Sequence, residues 1–227
     1  MKRSVLVVAV LAFSTLTAAA ADLAPRPYTK APAIAVDSSY VWSGFYVGGH
    51  VGYLWGRTRL VDDGVLTEAG APTDGVVGGL LAGYNWQFSG PLVVGIEADI
   101  GWTNAHGIGS FQAVTTPNSY DIRWTSHAVG KVGYASGSWL FFATGGVSIA
   151  DLNVFMPQQI PSMTCGGIYT GFSVGAGVEY ALNRNLLVRL QYIYDDFGSK
   201  SYVMPDGGRY DVSLISQTLR GALSWKF

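Results

Sequence analysis

The sequence predicts an all-β chain that forms an eight-stranded antiparallel up-and-down transmembrane β-barrel. Apolar and polar residues alternate with a period of two through most of residues 42–227, which indicates strands with one apolar and one polar face. Tight turns and long connections join these stretches in turn, and tryptophans occur near both ends of the stretches. Transmembrane β-barrels combine these three features.

The composition excludes two broad classes of protein. Apolar residues make up 49% and aromatic residues 13% of the 227 residues, whereas a disordered chain has few of either. Charged residues make up only 13%, and the net charge of −1 comes without a basic block. The chain therefore lacks the electrostatic signature of a nucleic-acid binder, and no nucleic-acid partner is expected.

The N-terminal residues 1–21 have the pattern of a signal peptide. Lys2 and Arg3 form a positive n-region, residues 5–12 are apolar, and residues 18–21 are alanines that a signal peptidase accepts. The apolar run is too short for a membrane helix. Residues 22–41 contain three prolines and are expected to form a flexible periplasmic lead segment, which leaves residues 42–227 for the barrel.

Each alternating stretch is long enough to cross a bilayer at a tilt, which takes about nine to eleven residues. In chain order the stretches are residues 45–55, 76–88, 92–104, 121–135, 139–153, 169–182, 186–197 and 211–227. Glycine recurs every few residues in the first of them, which argues against a helix there. In the fourth, parity places Ile122 and Trp124 on the apolar face and Arg123 on the polar face. The last strand must pair with the first to close the barrel.

The connections differ in length on the two sides of the predicted barrel. Residues 89–91, 136–138 and 183–185 read as tight turns, whereas residues 58–75, 105–120, 154–168 and 198–210 read as long connections. Short turns on the periplasmic side and long loops outside are typical of bacterial outer-membrane barrels.

Six tryptophans on the apolar parity predict two aromatic girdles at the membrane interfaces. Near the short turns or the C-terminus lie Trp86, Trp139 and Trp225, and near the long connections lie Trp55, Trp102 and Trp124. A soluble sandwich would instead bury its tryptophans in the middle of its core.

Charged residues on the polar parity predict a network inside the barrel, because lipid covers the outside. The predicted lumen network comprises Glu97, Asp99, Arg123, Lys131, Glu179, Arg189 and Arg220. Glu179 and Arg189 lie five residues either side of Arg184, the middle of a tight turn, so antiparallel pairing places them opposite each other. Such pairing satisfies buried charges that could not remain unpaired.

No catalytic, metal-binding or cofactor-binding motif is found. Ser126 and His127 are adjacent in one strand and point to opposite faces, and no histidine has an evident carboxylate and nucleophile beside it. Three histidines and the single Cys165, interpreted as an inert free thiol, give no metal-ligand spacing. The chain is therefore expected not to be an enzyme and to use no cofactor.

The sequence resembles the alpha-proteobacterial outer-membrane β-barrel proteins, a family of small eight-stranded porin-like surface proteins. The resemblance rests on A21-D-L-A-P-R-P-Y-T-K-A-P32, W42-S-G-F-Y-V-G-G-H-V-G-Y53, A143-T-G-G-V147, L190-Q-Y-I-Y-D-D-F-G198 and the terminal Phe227. It implies the outer membrane of a Gram-negative bacterium as the location and outer-membrane lipid as the surroundings. It also implies that Phe227 is read by the barrel-assembly machinery during insertion.

The function expected from these observations is structural: a surface-exposed barrel that contributes to envelope integrity and surface interactions. A narrow porin-like channel is the first alternative, because glycines on the inner parity leave space: Gly95, Gly101, Gly146, Gly175 and Gly177. The second is binding of haemin or a host surface by the long loops, an activity that the resemblance suggests for some family members. Candidate loop residues are His106, Tyr120, Met156, Met163, Tyr202, Met204 and Tyr210.

Overall fold

The computed structural model of the chain describes residues 40–62, 65–109, 118–156, 163–203 and 209–227. The expected signal peptide and nearly all of the expected lead segment lie outside the described residues, as does Met204. The described residues contain no helix that is long and apolar enough to cross a membrane.

Eight β-strands make up almost all of the described chain. They are β1 (Gly44–Asp62), β2 (Val65–Gln87), β3 (Leu92–Gly109), β4 (Asn118–Ser136), β5 (Trp139–Met156), β6 (Met163–Ala181), β7 (Leu186–Val203) and β8 (Arg209–Lys226). Each strand pairs antiparallel with its neighbours in the sequence, and β1 pairs with β8 from Tyr46↔Lys226 to Asp62↔Tyr210. The sheet is a closed barrel, so the predicted fold class is confirmed.

The strands are longer on one side than the sequence predicted. The three tight turns lie where expected, and Gly90 and Gly137 adopt positive φ angles of 105° and 58° in two of them. The four predicted long connections are largely strand, because β1–β2, β3–β4, β5–β6 and β7–β8 continue as paired hairpins. The predicted long connections are therefore mostly extended hairpins, which carry the chain out beyond the aromatic side chains.

Alternation between inner and outer faces follows the predicted parity through most of the wall. Leu80, Ile96 and Leu190 face outward with exposed fractions of 61%, 59% and 54%. Glu97 and Arg189, one residue away, face inward with exposed fractions of 3% and 2%. A period of two places every second side chain on the same face, so one face is apolar and the other polar.

The alternation reverses at one β-bulge in β4, and this corrects the prediction for Arg123. Ile122 pairs with Leu152 and Trp124 pairs with Asp151, so Arg123 is an extra residue without an opposite number on β5. Arg123 therefore projects from the outer face with its side chain 64% exposed. Ile122, predicted to face lipid, turns inward and is 1% exposed. A bulge reverses the in–out order of all residues beyond it.

The interior of the barrel consists of three layers along its axis. An apolar cluster that includes Trp42, Leu140 and Leu187 occupies the end at the tight turns. Buried charged residues fill the middle. A second apolar cluster fills the end at the hairpins and comprises Leu54, Val77, Ala105, Tyr120, Ile122, Ala150, Leu152, Val154, Tyr169, Phe197, Val212 and Leu214.

Candidate functional site

The charged middle layer contains an ion-pair network that spans the lumen. Arg189 on β7 donates from Nη1 to both carboxylate oxygens of Glu97 on β3, each at 2.7 Å. Its Nη2 donates to Oε2 of Glu179 at 3.3 Å. Lys131 Nζ lies 3.6 Å from Glu97 and 3.5 Å from Glu179. Because β3 and β7 are four strands apart in an eight-stranded ring, the Arg189–Glu97 contact crosses the barrel.

Tyr46 on β1 also belongs to this ion-pair network. Its hydroxyl donates to Oε2 of Glu97 at 2.6 Å and accepts from Lys131 Nζ at 2.8 Å. The Tyr46 ring lies 4.6 Å from Lys131 Nζ, and the Phe142 ring lies 5.2 Å from the Arg189 guanidinium carbon. Charge-assisted hydrogen bonds and contacts with aromatic faces thus offset the free-energy cost of moving these charges out of water.

A second cluster of charges surrounds His127 one step nearer the hairpins. Nδ1 of His127 lies 2.8 Å from Oδ1 of Asp99, and Nε2 lies 3.2 Å from Oδ1 of Asp195. Arg220 on β8 donates to Asp99 at 3.0 Å and to Gln191 at 3.1 Å. Arg220 also lies 3.5 Å from Glu97, so the two clusters form one continuous network.

Residues 40–43, which precede β1, close the end of the barrel at the tight turns. Trp42 is fully buried, and its backbone N–H donates to Oε1 of Gln87 at 2.8 Å. The Tyr40 hydroxyl donates to the carbonyl of Arg184 at 3.2 Å, and Lys226 Nζ donates to the carbonyl of Val41. Burial, assisted by the Glu179 carboxylate, raises the pKa of Tyr40 to about 12. The predicted flexible lead segment thus ends in residues that are packed at this mouth.

The predicted aromatic residues all lie on the outer face. Trp86, Trp102, Trp139 and Trp225 are 44–56% exposed, and Trp55 and Trp124 are partly exposed. Trp225 pairs with Val47, and Trp55 stands eight residues further along β1, or about 26 Å at 3.3 Å per residue. For strands tilted by about 40°, this spacing corresponds to about 20 Å along the barrel axis, somewhat less than the apolar band of about 25 Å found in outer-membrane barrels.

Six of the seven residues predicted for the lumen network are brought together by the structure: Glu97, Asp99, Lys131, Glu179, Arg189 and Arg220. Glu179 and Arg189 are direct cross-strand partners. Arg123 lies outside and pairs with Asp151, with 2.7 Å between Nη2 and Oδ2.

Sequence reasoning missed the carboxylate partners of His127 and the role of Trp42. The sequence already placed Asp99, His127 and Asp195 on the inner face. Their side chains come into contact only because the closed barrel brings strands β3, β4 and β7 together. Trp42 precedes the alternating region, so periodicity carries no signal for its burial. Two aromatic residues shortly before the first strand, Tyr40 and Trp42, were the available indication.

The histidines do not form a metal centre within the described part of the chain. No group of three or more His, Cys, Asp or Glu side chains there has the geometry to hold a metal ion. His106 lies on β3, where Nδ1 approaches Oδ1 of Asp121 at 2.6 Å on the exposed surface. Ser126 donates to the carbonyl of Asp99 at 2.7 Å from the opposite face to His127.

A closed barrel with an apolar outer band, two rows of aromatic residues and a charged interior is the architecture of an outer-membrane β-barrel protein. The chain belongs to the family described as outer membrane protein beta-barrel domain, whose model matches residues 6–227. The protein is accordingly an outer-membrane protein.

Two relatives and one solved structure illustrate the similarity. The 31 kDa outer-membrane immunogenic protein of Brucella melitensis biotype 1 is 26% identical over 240 residues, which cover 99% of this chain and 100% of that protein. The 22 kDa outer membrane protein of Rhizobium leguminosarum is 32% identical over 186 residues, or 82% and 78% of the two chains. OprG from Pseudomonas aeruginosa shares the fold with a TM-score of 0.59 at 13% identity, covering 83% of this chain and 98% of its own.

Proposed function

We propose that the protein is a structural barrel of the outer membrane that is closed to solutes, contributes to envelope integrity and presents its hairpins to the outside. The proposal is supported above all by the contact of Arg189 with Glu97, which bridges opposite walls of the lumen. The same cross-section also holds Tyr46, Lys131 and Glu179, so side chains occupy the space that a channel would need. Eight strands leave an interior just wide enough for such filling.

The apolar layers at both ends support closure over the alternative of a narrow channel. Trp42 and its neighbours cover the periplasmic mouth, and the cluster around Leu54 and Leu214 fills the other end. At four of the five inner glycines that suggested a channel, Gly95, Gly146, Gly175 and Gly177, a backbone carbonyl lies close to where a Cβ would be. A Cβ added at Gly95 would lie 2.8 Å from the Tyr84 carbonyl, and one added at Gly146 would lie 2.2 Å from that of Ala128.

Conductance of the purified protein in a planar bilayer tests closure. We expect no discrete channel events from the wild type or from a matched control, Arg184→Gln, whose exposed side chain lies in a turn. Discrete openings of the wild type would contradict the proposal. A strain that lacks the protein should become more sensitive to detergent. Expression of either the wild type or Arg184→Gln should restore resistance equally.

We further propose that the protein has no catalytic activity and that its surface is recognised outside the cell. The relatives that are named immunogenic support surface recognition, because these names describe outer-membrane proteins of similar length. Within the described residues, Ser126 points away from His127, and His127 is enclosed by Asp99 and Asp195 in a sealed interior.

Binding of a haemin-like ligand at the hairpins is a second candidate, favoured by the position of His106. Asp121 holds its ring through Nδ1, and the His106 side chain is 53% exposed. Retention on haemin-agarose should fall for His106→Ala and persist for Arg123→Ala, a control with an exposed side chain on the outer face of β4. Equal retention of both variants would remove this candidate.

We propose that Phe227 serves as an assembly signal for the barrel-assembly machinery. Its side chain is 69% exposed, and its backbone N–H donates to the carbonyl of Phe45 at 2.9 Å, so the aromatic ring is available at the closure of the barrel. Deletion of Phe227 should lower surface levels more than it lowers the stability of protein refolded in vitro. Normal surface levels of the truncated protein would contradict this role.

A further inference from the structure

The ladder between β6 and β7 ends well before the strands do. Pairing runs from Ala181↔Leu187 to Phe172↔Asp196, although β6 begins at Met163 and β7 continues to Val203. Among the described residues, no ladder pair joins residues 164–171 of β6 to residues 197–203 of β7. Here the ladder has a gap, which we call the β6–β7 seam.

Both strands at the seam remain paired on their other edges. β6 pairs with β5 as far as Met156↔Met163, and β7 pairs with β8 as far as Val203↔Arg209. Each strand is therefore held extended by one neighbour and presents its second edge to the seam. A strand edge of this kind is a template for pairing with another chain.

A bulge in β7 and one glycine in β6 mark where the strands separate. The β7–β8 register shifts between Asp196 and Ser199, and Gly198 adopts a φ of 64°. A Cβ added at Gly171 would lie 1.9 Å from the carbonyl oxygen of Asp196, so the strands still touch there. Beyond this point no ladder pair joins the two strands, which fits a bulge that bends the strand carrying it.

Exposure along β7 changes at the same place. Below the bulge, exposed and buried residues alternate, whereas residues 198–201 are all exposed and Val203 is 73% exposed. Consecutive exposure on both faces is the pattern of a strand that lacks cover on one edge. The side chains of residues 198–201 and of Val203 are therefore accessible from outside the barrel.

Side chains bridge the seam in place of backbone hydrogen bonds. The hydroxyl groups of Tyr169 and Tyr202 are 3.0 Å apart, and Lys200 Nζ donates to the carbonyl of Ile168 at 3.5 Å. Lysine on an open edge is a common protection against unspecific strand pairing. These contacts come from side-chain ends, so they can move aside without disturbing either backbone.

The position of the seam along the barrel axis determines which kind of molecule it can contact. Tyr194 pairs with Gln217, which pairs with Trp55 and accepts a hydrogen bond from its indole at 3.0 Å. The seam begins beyond Asp196, two residues past this aromatic row, and extends for about 23 Å along residues 197–203. It therefore faces the headgroups and the external water, where an acyl chain would not lie.

We infer that the β6–β7 seam binds an extended polypeptide segment of another protein, which adds as a strand to the free edge of β7. The inference rests on the proposed outward exposure of the hairpins and names the partner chemistry for that surface. Backbone hydrogen bonds to residues 197–203 supply the affinity, as in other cases of strand addition. Outward side chains beside the edge, including Val203 and Ile168 at 73% and 58% exposure, supply selectivity.

Two methylated peptides test the inference. The probe is a fluorescent nine-residue peptide with the sequence of residues 163–171, with serine at the cysteine position, because this is the strand that a complete ladder would place beside β7. It is made in two further forms, each N-methylated at one of the two alternate sets of backbone nitrogens. Affinity is measured by fluorescence anisotropy with the full chain in nanodiscs.

The expected result depends on which peptide edge is blocked. One methylated form should bind like the parent peptide, and the other should bind at least about tenfold more weakly, because several backbone hydrogen bonds are lost. Hydrogen exchange of residues 197–203 should slow on binding, whereas residues 211–218 of β8 should not change. Equal affinity of the two methylated forms, or no binding of the parent peptide up to millimolar concentration, would overturn the inference.

A second copy of this chain is the competing occupant. Mass photometry of the protein without peptide decides between them: a dimer that protects residues 197–203 from exchange would overturn the proposal of a foreign partner, and a monomer supports it. The outcome is separate from the channel test, because conductance would contradict the closed barrel without changing peptide binding.

Discussion

The two larger interior layers of the barrel follow opposite rules. In the membrane band the inner face carries Glu97, Lys131 and Arg189 and the outer face is apolar. Among the hairpins the inner face carries Leu54, Leu152 and other apolar residues, and Arg57, Arg59 and Arg123 are exposed. The difference shows that the surrounding solvent decides the polarity of the wall: lipid outside requires polar pairs inside, whereas water outside permits an ordinary apolar core.

The bulge at Arg123 lies at the boundary between these two regions. On the membrane side of the bulge Thr125 and His127 face inward, and on the hairpin side Ile122 and Tyr120 face inward. The insertion of one residue reverses the parity of β4 and thereby exchanges a polar inner row for an apolar one. Four matched substitutions test whether the two regions follow different rules.

Arg189→Ala should have the largest effect, because it leaves Glu97 and Glu179 buried without their shared cation. We expect the free energy of unfolding to fall by about 3–5 kcal/mol, the range for removing one partner of a buried ion pair. Urea-induced unfolding in phospholipid vesicles measures it. Arg184→Ala in the exposed turn should change it by less than about 0.5 kcal/mol. Equal losses in the two variants would show that the lumen network does not stabilise the barrel.

Leu152→Ala tests the apolar layer among the hairpins. Leu152 is fully buried, and its truncation should cost about 2–5 kcal/mol in the same unfolding measurement, because a cavity remains. Ile108→Ala, on the outer face at 56% exposure, should remain within about 0.5 kcal/mol of wild type. A larger loss for Ile108→Ala would mean that this outer surface is not in water.

Leu190→Arg tests the outer face of the membrane band. Leu190 pairs with Gly221, midway between Trp225 and Gln217 on β8, so it stands near the middle of the band. An arginine there should cost about 2–4 kcal/mol, whereas Ile108→Arg among the hairpins should cost at most about 1 kcal/mol. If the two variants refold with the same stability, the assigned height of the membrane is wrong.

Arg123→Ala should have the smallest effect, although Arg123 is also an arginine paired with a carboxylate. Its side chain is 64% exposed, and an exposed ion pair contributes about 0–1 kcal/mol, less at high salt. Unfolding at low and high ionic strength measures the difference from Arg189→Ala. A loss above about 2 kcal/mol would place Arg123 in the interior, as its sequence parity suggested.

The membrane band could be predicted from the sequence because lipid imposes a strict rule on every strand. The alternation around Ile96, Leu190 and Leu223 follows directly from it, and so do the cross-strand partners Glu179 and Arg189, whose register is set by a tight turn. The positions of the tryptophans also indicated where the apolar membrane band begins and ends. These are local properties, so a single strand or hairpin is enough to reveal them.

The rest depended on contacts between distant strands. The bulge leaves Arg123 without a pairing partner on β5, and no residue of unusual type marks it. The hairpins beyond the band were read as connections because their inner residues, such as Ala105 and Val154, join a core contributed by the whole ring. His127 gained Asp99 and Asp195 only when β3, β4 and β7 were enclosed in one barrel.

The closure at Trp42 has a consequence for the order of events during folding. The Tyr40 ring lies 4.6 Å from Lys226 Nζ, and the carbonyl of Val41 accepts a hydrogen bond from the same group. Lys226, near the end of β8, therefore holds the residues that precede β1. The periplasmic mouth therefore cannot shut until β8 has arrived beside β1. Until then water reaches the charged side chains from that side, and they can exchange partners while still hydrated. We expect drying of the interior to follow the arrival of the last strand.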